Sequence, residues 1–205
     1  MSAAAVEYPW GSKPEHEVPL LDVANLLMEQ NPGLRAEIIG GILTVTPPAD
    51  FQHADVLTDL MLPFISAGLH GKETRIVQAV GIWLPSGPSD YAIPDLAVVD
   101  ADYAEHIVES NCADPVIFRL VAEVTSSNYN NDLRDKPRAY AEAKVPAYLI
   151  INRKHGRVHL LTNPVGDSYE NHELFASGQQ LTLPASVGPE GAPAVTLDVA
   201  DLLHT

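Results

Sequence analysis

Three side chains in this sequence could do chemistry together: Asp95 in "IPDLAVV", Glu123 in "FRLVAEV" and Lys136 in "LRDKPRAY". Asp95 opens an apolar run and Glu123 stands near the close of another. Strand alternation puts Asp95, Ala97 and Val99 on one face and Leu96 and Val98 on the other. It likewise groups Arg119, Val121, Glu123 and Thr125. A carboxylate among such neighbours is costly unless it is paired or bound to a metal. On adjacent strands, the two acids would converge at one edge of a sheet. Oxygen ligands of that kind suit hard cations such as Mg²⁺ or Mn²⁺, with water and a substrate phosphate completing the shell. Lys136 lies 13 residues beyond Glu123, far enough for a helix to fold back over the strand end. There it could orient a water or neutralise charge building on a phosphate. Taken singly, each residue has a plainer role: a turn aspartate, a salt-bridged strand-end glutamate, a solvated helix-terminal lysine.

The surrounding elements must place these three. "VPLLDVANLLMEQNPG" has a helical apolar period and stops at Asn31, Pro32 and Gly33. "LRAEIIGGILTVTPP" reads as two short strands about Gly40 and Gly41. "ADFQHADVLTDLMLPFISAG" is a second helix, capped by Asp50 and stopped by Gly68, with Pro63 expected to bend it. "TRIVQAVGIWL" and "YAIPDLAVVD" each read as a single strand. "DPVIFRLVAEV" is apolar on both faces, the pattern of a central strand covered on both sides. "DKPRAYAEAKV" reads as a helix with Pro137 in its first turn. "PAYLIIN" and "GRVHLL" pair about "RKHG", and the tail adds shorter strands and a closing "VTLDVADLL". The expectation is an N-terminal extension over residues 1–19 and a single α/β domain over 20–205, built on a mixed sheet flanked by helices.

The order "PDLAVV … LVAEVTSS … DK…Y … VPAYLIIN" resembles the Uma-two family of restriction endonucleases, within the PD-(D/E)XK nuclease superfamily. "AEIIGGILTVTPPADFQHADVLTDL" and "VTLDVADLL" are similar to that family's early and closing segments, so the resemblance covers roughly residues 20–203. It implies a restriction-endonuclease-like fold and a metal-dependent endonuclease acting on DNA. Asp95 and Glu123 would be the metal-binding acids, with a backbone carbonyl near Val124 as a further ligand. In the commonest form of the motif, the lysine lies two residues after the second acid. Thr125 stands there, and Lys136 takes the part from the following helix. Because Lys136 directly precedes Pro137, which disfavours helical geometry, Arg134 is a competing cation. Glu37 and His53 match early family positions and are auxiliary candidates, for metal or water and for phosphate or proton transfer. The superfamily often dimerises, so a homodimer is expected.

Composition limits these readings. The chain has 205 residues and is 46% hydrophobic, enough for a real core. Its net charge is −15, from 12 basic and 27 acidic residues, which repels nucleic acid at long range. That charge favours a competing reading: a nuclease fold kept as a regulatory or protein-interaction module. A metal-free glycosidase with paired carboxylates ranks behind both, because a nearby lysine lowers the pKa of both acids where one should be raised. No apolar stretch approaches a membrane span, the start lacks the pattern of a secretory signal, and Cys112 is alone, so the expected location is cytoplasmic. No histidine or cysteine spacing fits a zinc site, and no Walker, dinucleotide-binding or nucleophile-elbow motif is present.

Overall fold

The computed structural model describes residues 4–5, 18–125 and 129–203, with the backbone alone described at 4–5 and 129–132. The polar loop expected after Glu123 falls partly on residues 126–128, and most of the N-terminal extension on residues 1–3 and 6–17; these segments lie outside the described residues.

The elements follow the sequence pattern closely at the start. Strand β1 (Ala4–Ala5) precedes helix α1 (Leu20–Gln30), which leads into the hairpin β2 (Arg35–Ile39) and β3 (Ile42–Thr46). Gly40 and Gly41 both adopt positive φ, 59° and 72°. A two-residue hairpin turn of this hand requires that of both residues. Helix α2 (Phe51–Ser66) begins where Asp50 accepts a hydrogen bond from the His53 amide. Then come β4 (Thr74–Gln78), β5 (Gly81–Trp83), β6 (Tyr91–Ala92), β7 (Leu96–Asp100), β8 (Ile107–Glu109), β9 (Cys112–Ala113) and β10 (Phe118–Val124). Helix α3 (Tyr129–Glu142) leads to β11 (Ala147–Asn152), β12 (Arg157–Val165) and β13 (Ser168–Ala176). The chain closes with β14 (Gln180–Thr182), β15 (Thr196–Asp198) and the short helix α4 (Val199–Leu202).

The fold is the expected α/β arrangement of mixed sheet and flanking helices, but there are two large sheets rather than one. The six-stranded sheet runs β13-β12-β11-β10-β7-β4, and the seven-stranded sheet runs β1-β3-β2-β6-β5-β9-β8. A two-stranded ribbon, β14 with β15, completes it. Each of two apolar runs read as single strands crosses from one sheet to the other. The run from Thr74 breaks between β4 and β5 at Ala79, which has φ 52°. The run from Tyr91 breaks between β6 and β7 at Pro94 and Asp95. Periodicity does not register such a crossing, because both halves are buried.

Strand β10 is central, parallel to β11 and antiparallel to β7. One face of the sheet packs Leu96, Val98, Leu120 and Ala122 under Val56, Leu60 and Phe64 of α2. The other packs Ala97, Val99, Val121 and Ile150 under Ala139 and Tyr140 of α3 and Ala143 just after it. The continuous apolar run of β10 is thus the signature of a strand buried on both sides. Helix α3 corrects one expectation. It starts at Tyr129, so Pro137 lies in its interior and not in its first turn. The proline removes one intrahelical donor, and the helix continues through it to Glu142.

Candidate active site at the seam between the sheets

The candidate residues collect where the chain passes between the two sheets. Asp95 is the last residue before β7. The register Val121↔Ala97 and Ala122↔Leu96, continued one step, sets Glu123 opposite Asp95. Asp95 and Glu123 are both 4% exposed, far from the usual state of a carboxylate. From the seven-stranded sheet, β2 contributes Arg35 and Glu37, two residues apart and therefore on one face. Helix α2 brings His53 in its first turn. Helix α3 brings Lys136 and, four residues on, Tyr140.

Every acid in this group is held by more than one partner. The Arg35 Nη2 donates to Asp95 Oδ1 at 2.7 Å, and the Val124 amide donates to Asp95 Oδ2 at 2.9 Å. His53 Nε2 lies 3.0 Å from the same Oδ2, in ion-pair range but without hydrogen-bond alignment. Burial works against ionisation of Asp95, but His53, Arg35 and the Val124 amide outweigh it and hold the carboxyl well below its usual range. Arg35 is the reciprocal case: burial opposes its charge, and Asp95, then Glu123 and Glu37, more than restore it.

Lys136 ties the second acid to the third. Its Nζ donates to Glu123 Oε1 at 2.7 Å and lies 3.1 Å from Glu37 Oε1. The Tyr140 hydroxyl also donates to Glu123 Oε1, at 3.0 Å, while its ring packs edge-on against Tyr148. Glu37 Oε1 accepts from the Ile93 amide at 2.6 Å, which braces the loop that presents Asp95. Thr125, the residue after β10, takes the position where the common motif has lysine. Its Oγ1 is buried with no hydrogen-bond partner among the described residues.

The structure thus brings Asp95, Glu123, Lys136, Glu37 and His53 together and leaves Arg134 out. Arg134 is exposed on α3, on the face it shares with Arg138. Arg138 itself pairs with Glu142 and Asp167. The basic residues of α3 therefore split, with Lys136 turned inward and Arg134 and Arg138 outward. Lys136 sits within a helix although proline follows it, because two buried carboxylates fix its ammonium. Two participants were not anticipated. Arg35 could have been found as the charged partner of Glu37 at strand spacing in an otherwise apolar strand. Tyr140 packs on Tyr148, and its hydroxyl also holds Glu123.

Three carboxylates at one seam are the oxygen donors that a hard divalent cation prefers, and the Thr125 hydroxyl, without a partner among the described residues, lies two residues beyond Glu123. The donor chemistry fits Mg²⁺ or Mn²⁺. Among the described residues, however, no group of three or more acidic, histidine or cysteine side chains is spaced to hold a metal ion as arranged. The acids are instead closed on Arg35 and Lys136.

Comparison with known proteins bears on the family and the fold. The family Uma2, described as "Putative restriction endonuclease", matches residues 22–199. A solved structure described as a "putative nuclease belonging to DUF820 from Anabaena variabilis ATCC 29413" is similar in fold, with a TM-score of 0.61 at 15% identity. That likeness covers 82% of this chain and 89% of the other. No curated protein matches. With the match running through almost the whole chain, the protein belongs to the Uma2 restriction endonuclease family.

Proposed function

We propose that the protein is a Mg²⁺- or Mn²⁺-dependent endonuclease that hydrolyses DNA phosphodiester bonds at the seam site. The observation that carries the reading is the buried pair Asp95 and Glu123 on neighbouring strands, with Lys136 on the second acid. Asp95, Glu123 and the Val124 carbonyl would hold the ion. When bound, such an ion lowers the pKa of a coordinated water and stabilises charge on the phosphate.

The chain's own groups do the rest. Tyr140 and Lys136 fix the Glu123 carboxylate in one orientation. The Lys136 ammonium screens negative charge developing on the phosphate. Glu37 restrains that ammonium and braces the loop carrying Asp95. His53 stands next to Asp95, where it can contact phosphate or exchange a proton. Arg153, which follows β11 and pairs with Asp50 at the start of α2, adds positive charge near this end of the sheet. These local cations are what a phosphate would meet on a chain of net charge −15.

The test is nicking of supercoiled plasmid with Mg²⁺ or Mn²⁺, with chelator, and with Glu123→Gln. The expected result is ion-dependent nicking that chelator and the substitution each abolish. Nicking that survives both would contradict the assignment. A second reading has its own support, since the acids are already neutralised by internal cations and the chain is acidic. In that reading the fold is a non-catalytic interaction module, and no divalent ion elicits cleavage.

A further inference from the structure

We propose that Arg35 is a resident counter-cation that leaves Asp95 when a divalent ion enters. The inference rests on the nuclease reading and assigns a role to a residue which that reading does not use.

The two cations of the site are not equivalent. Lys136 has a side chain only 6% exposed and lies between two carboxylates. Moving it would strand buried charge. Arg35 has a side chain 26% exposed, and Asp95 is its one ion-pair partner among the described residues. It can therefore swing into water while Lys136 stays. Its Nη2 sits 2.7 Å from Asp95 Oδ1, and the Val124 amide and His53 hold the other oxygen. Oδ1 is thus the oxygen that the departure of Arg35 would open to a metal ion, and a guanidinium there would be repelled by a divalent cation. With Arg35 in place, Asp95 is charge-compensated without metal. The exchange of one cation for another keeps the buried carboxylate compensated throughout. Once displaced, the guanidinium stays tethered to β2 beside the site.

The experiment compares Mn²⁺ affinity by calorimetry for wild type, Arg35→Met and Arg35→Lys, and follows the Arg35 side-chain Nε–H by nuclear magnetic resonance while Mg²⁺ is added. Arg35→Met keeps the apolar stem but carries no competing charge. It is expected to bind Mn²⁺ roughly tenfold more tightly than wild type, with Arg35→Lys in between. In wild type, the Arg35 resonance should move in step with Mg²⁺ occupancy, a readout that needs no variant to fold. Equal or weaker affinity in Arg35→Met, or a resonance unmoved at saturating Mg²⁺, overturns the exchange while leaving the nuclease reading intact. Absence of binding in wild type and both variants overturns both.

Discussion

A buried ion-pair network gives each of its members a different substitution signature. Removing the ammonium in Lys136→Met leaves Glu37 and Glu123 buried without their shared cation. This should cost about 3–5 kcal/mol of stability, the penalty for breaking a buried pair from one side. Tyr140→Phe keeps the edge-on contact with Tyr148 and loses the hydrogen bond to the Glu123 carboxylate. It should cost about 1.5–3 kcal/mol. Urea unfolding of the two variants separates these values; equal losses would mean that the lysine is not the main support of Glu123. The acids were legible in the sequence because a carboxylate bordering an apolar run is conspicuous. The rotamers were not. That Lys136 reaches two acids, and that Asp95 is shared by Arg35, His53 and an amide, depends on how the strands and helices meet in space. Arg134 and Lys136 are equally cationic in sequence, and only their helix faces distinguish them.

The elements carrying these residues are held by a few polar ties. Asp90 accepts from the Gly40 and Gly41 amides, at 2.7 and 3.2 Å, and from the Ser86 hydroxyl at 2.7 Å. It fastens the β2–β3 turn to the loop before β6. In Asp90→Ala, two hairpin amides lose their acceptor, for a cost of about 1–3 kcal/mol. Hydrogen exchange at Gly40 and Gly41 should quicken as Arg35 and Glu37 lose their footing. Unchanged exchange would show that the turn is held otherwise. At the other end of the same sheet, a Cβ added at Gly81 would lie 3.1 Å from the Cys112 Cα and closer still to its sulfur. Gly81→Ala should therefore destabilise the β5–β9 pairing by about 1–3 kcal/mol in thermal unfolding. The helices and the β2–β3 hairpin were legible from period and from the paired glycines. The crossings between sheets were not, since Ala79 has no glycine to announce its positive φ, and Pro94 reads equally well as a strand start. The full length of α3 was hidden because "YNNDLR" has no apolar face and Pro137 mimics a first-turn signal.

Over the whole molecule, burial and charge set how stability responds to pH. His159 on β12 is buried, contacts His172 Nε2 through Nδ1 at 2.9 Å, and is pushed down from 6.5 to about 4 by burial, with His172 and His155 adding to the effect. Between those values the unfolded chain binds a proton that the folded chain does not, so stability rises with pH across this window. Melting temperature should fall from pH 7 towards pH 4, and His159→Phe should flatten that slope. Asp95, held below the usual carboxylate range, adds stability above that range and loses it only at more acidic pH. No helix among the described residues is long and apolar enough to cross a membrane. The central claim is that the acid pair binds a catalytic divalent ion. It is tested most directly by calorimetric titration of Mn²⁺ into wild type, Asp95→Ala and Glu123→Ala, with plasmid nicking measured on the same samples. The account predicts that wild type binds the ion and nicks DNA and that each variant loses both; a wild type that neither binds nor cleaves, or variants that still do both, would contradict it.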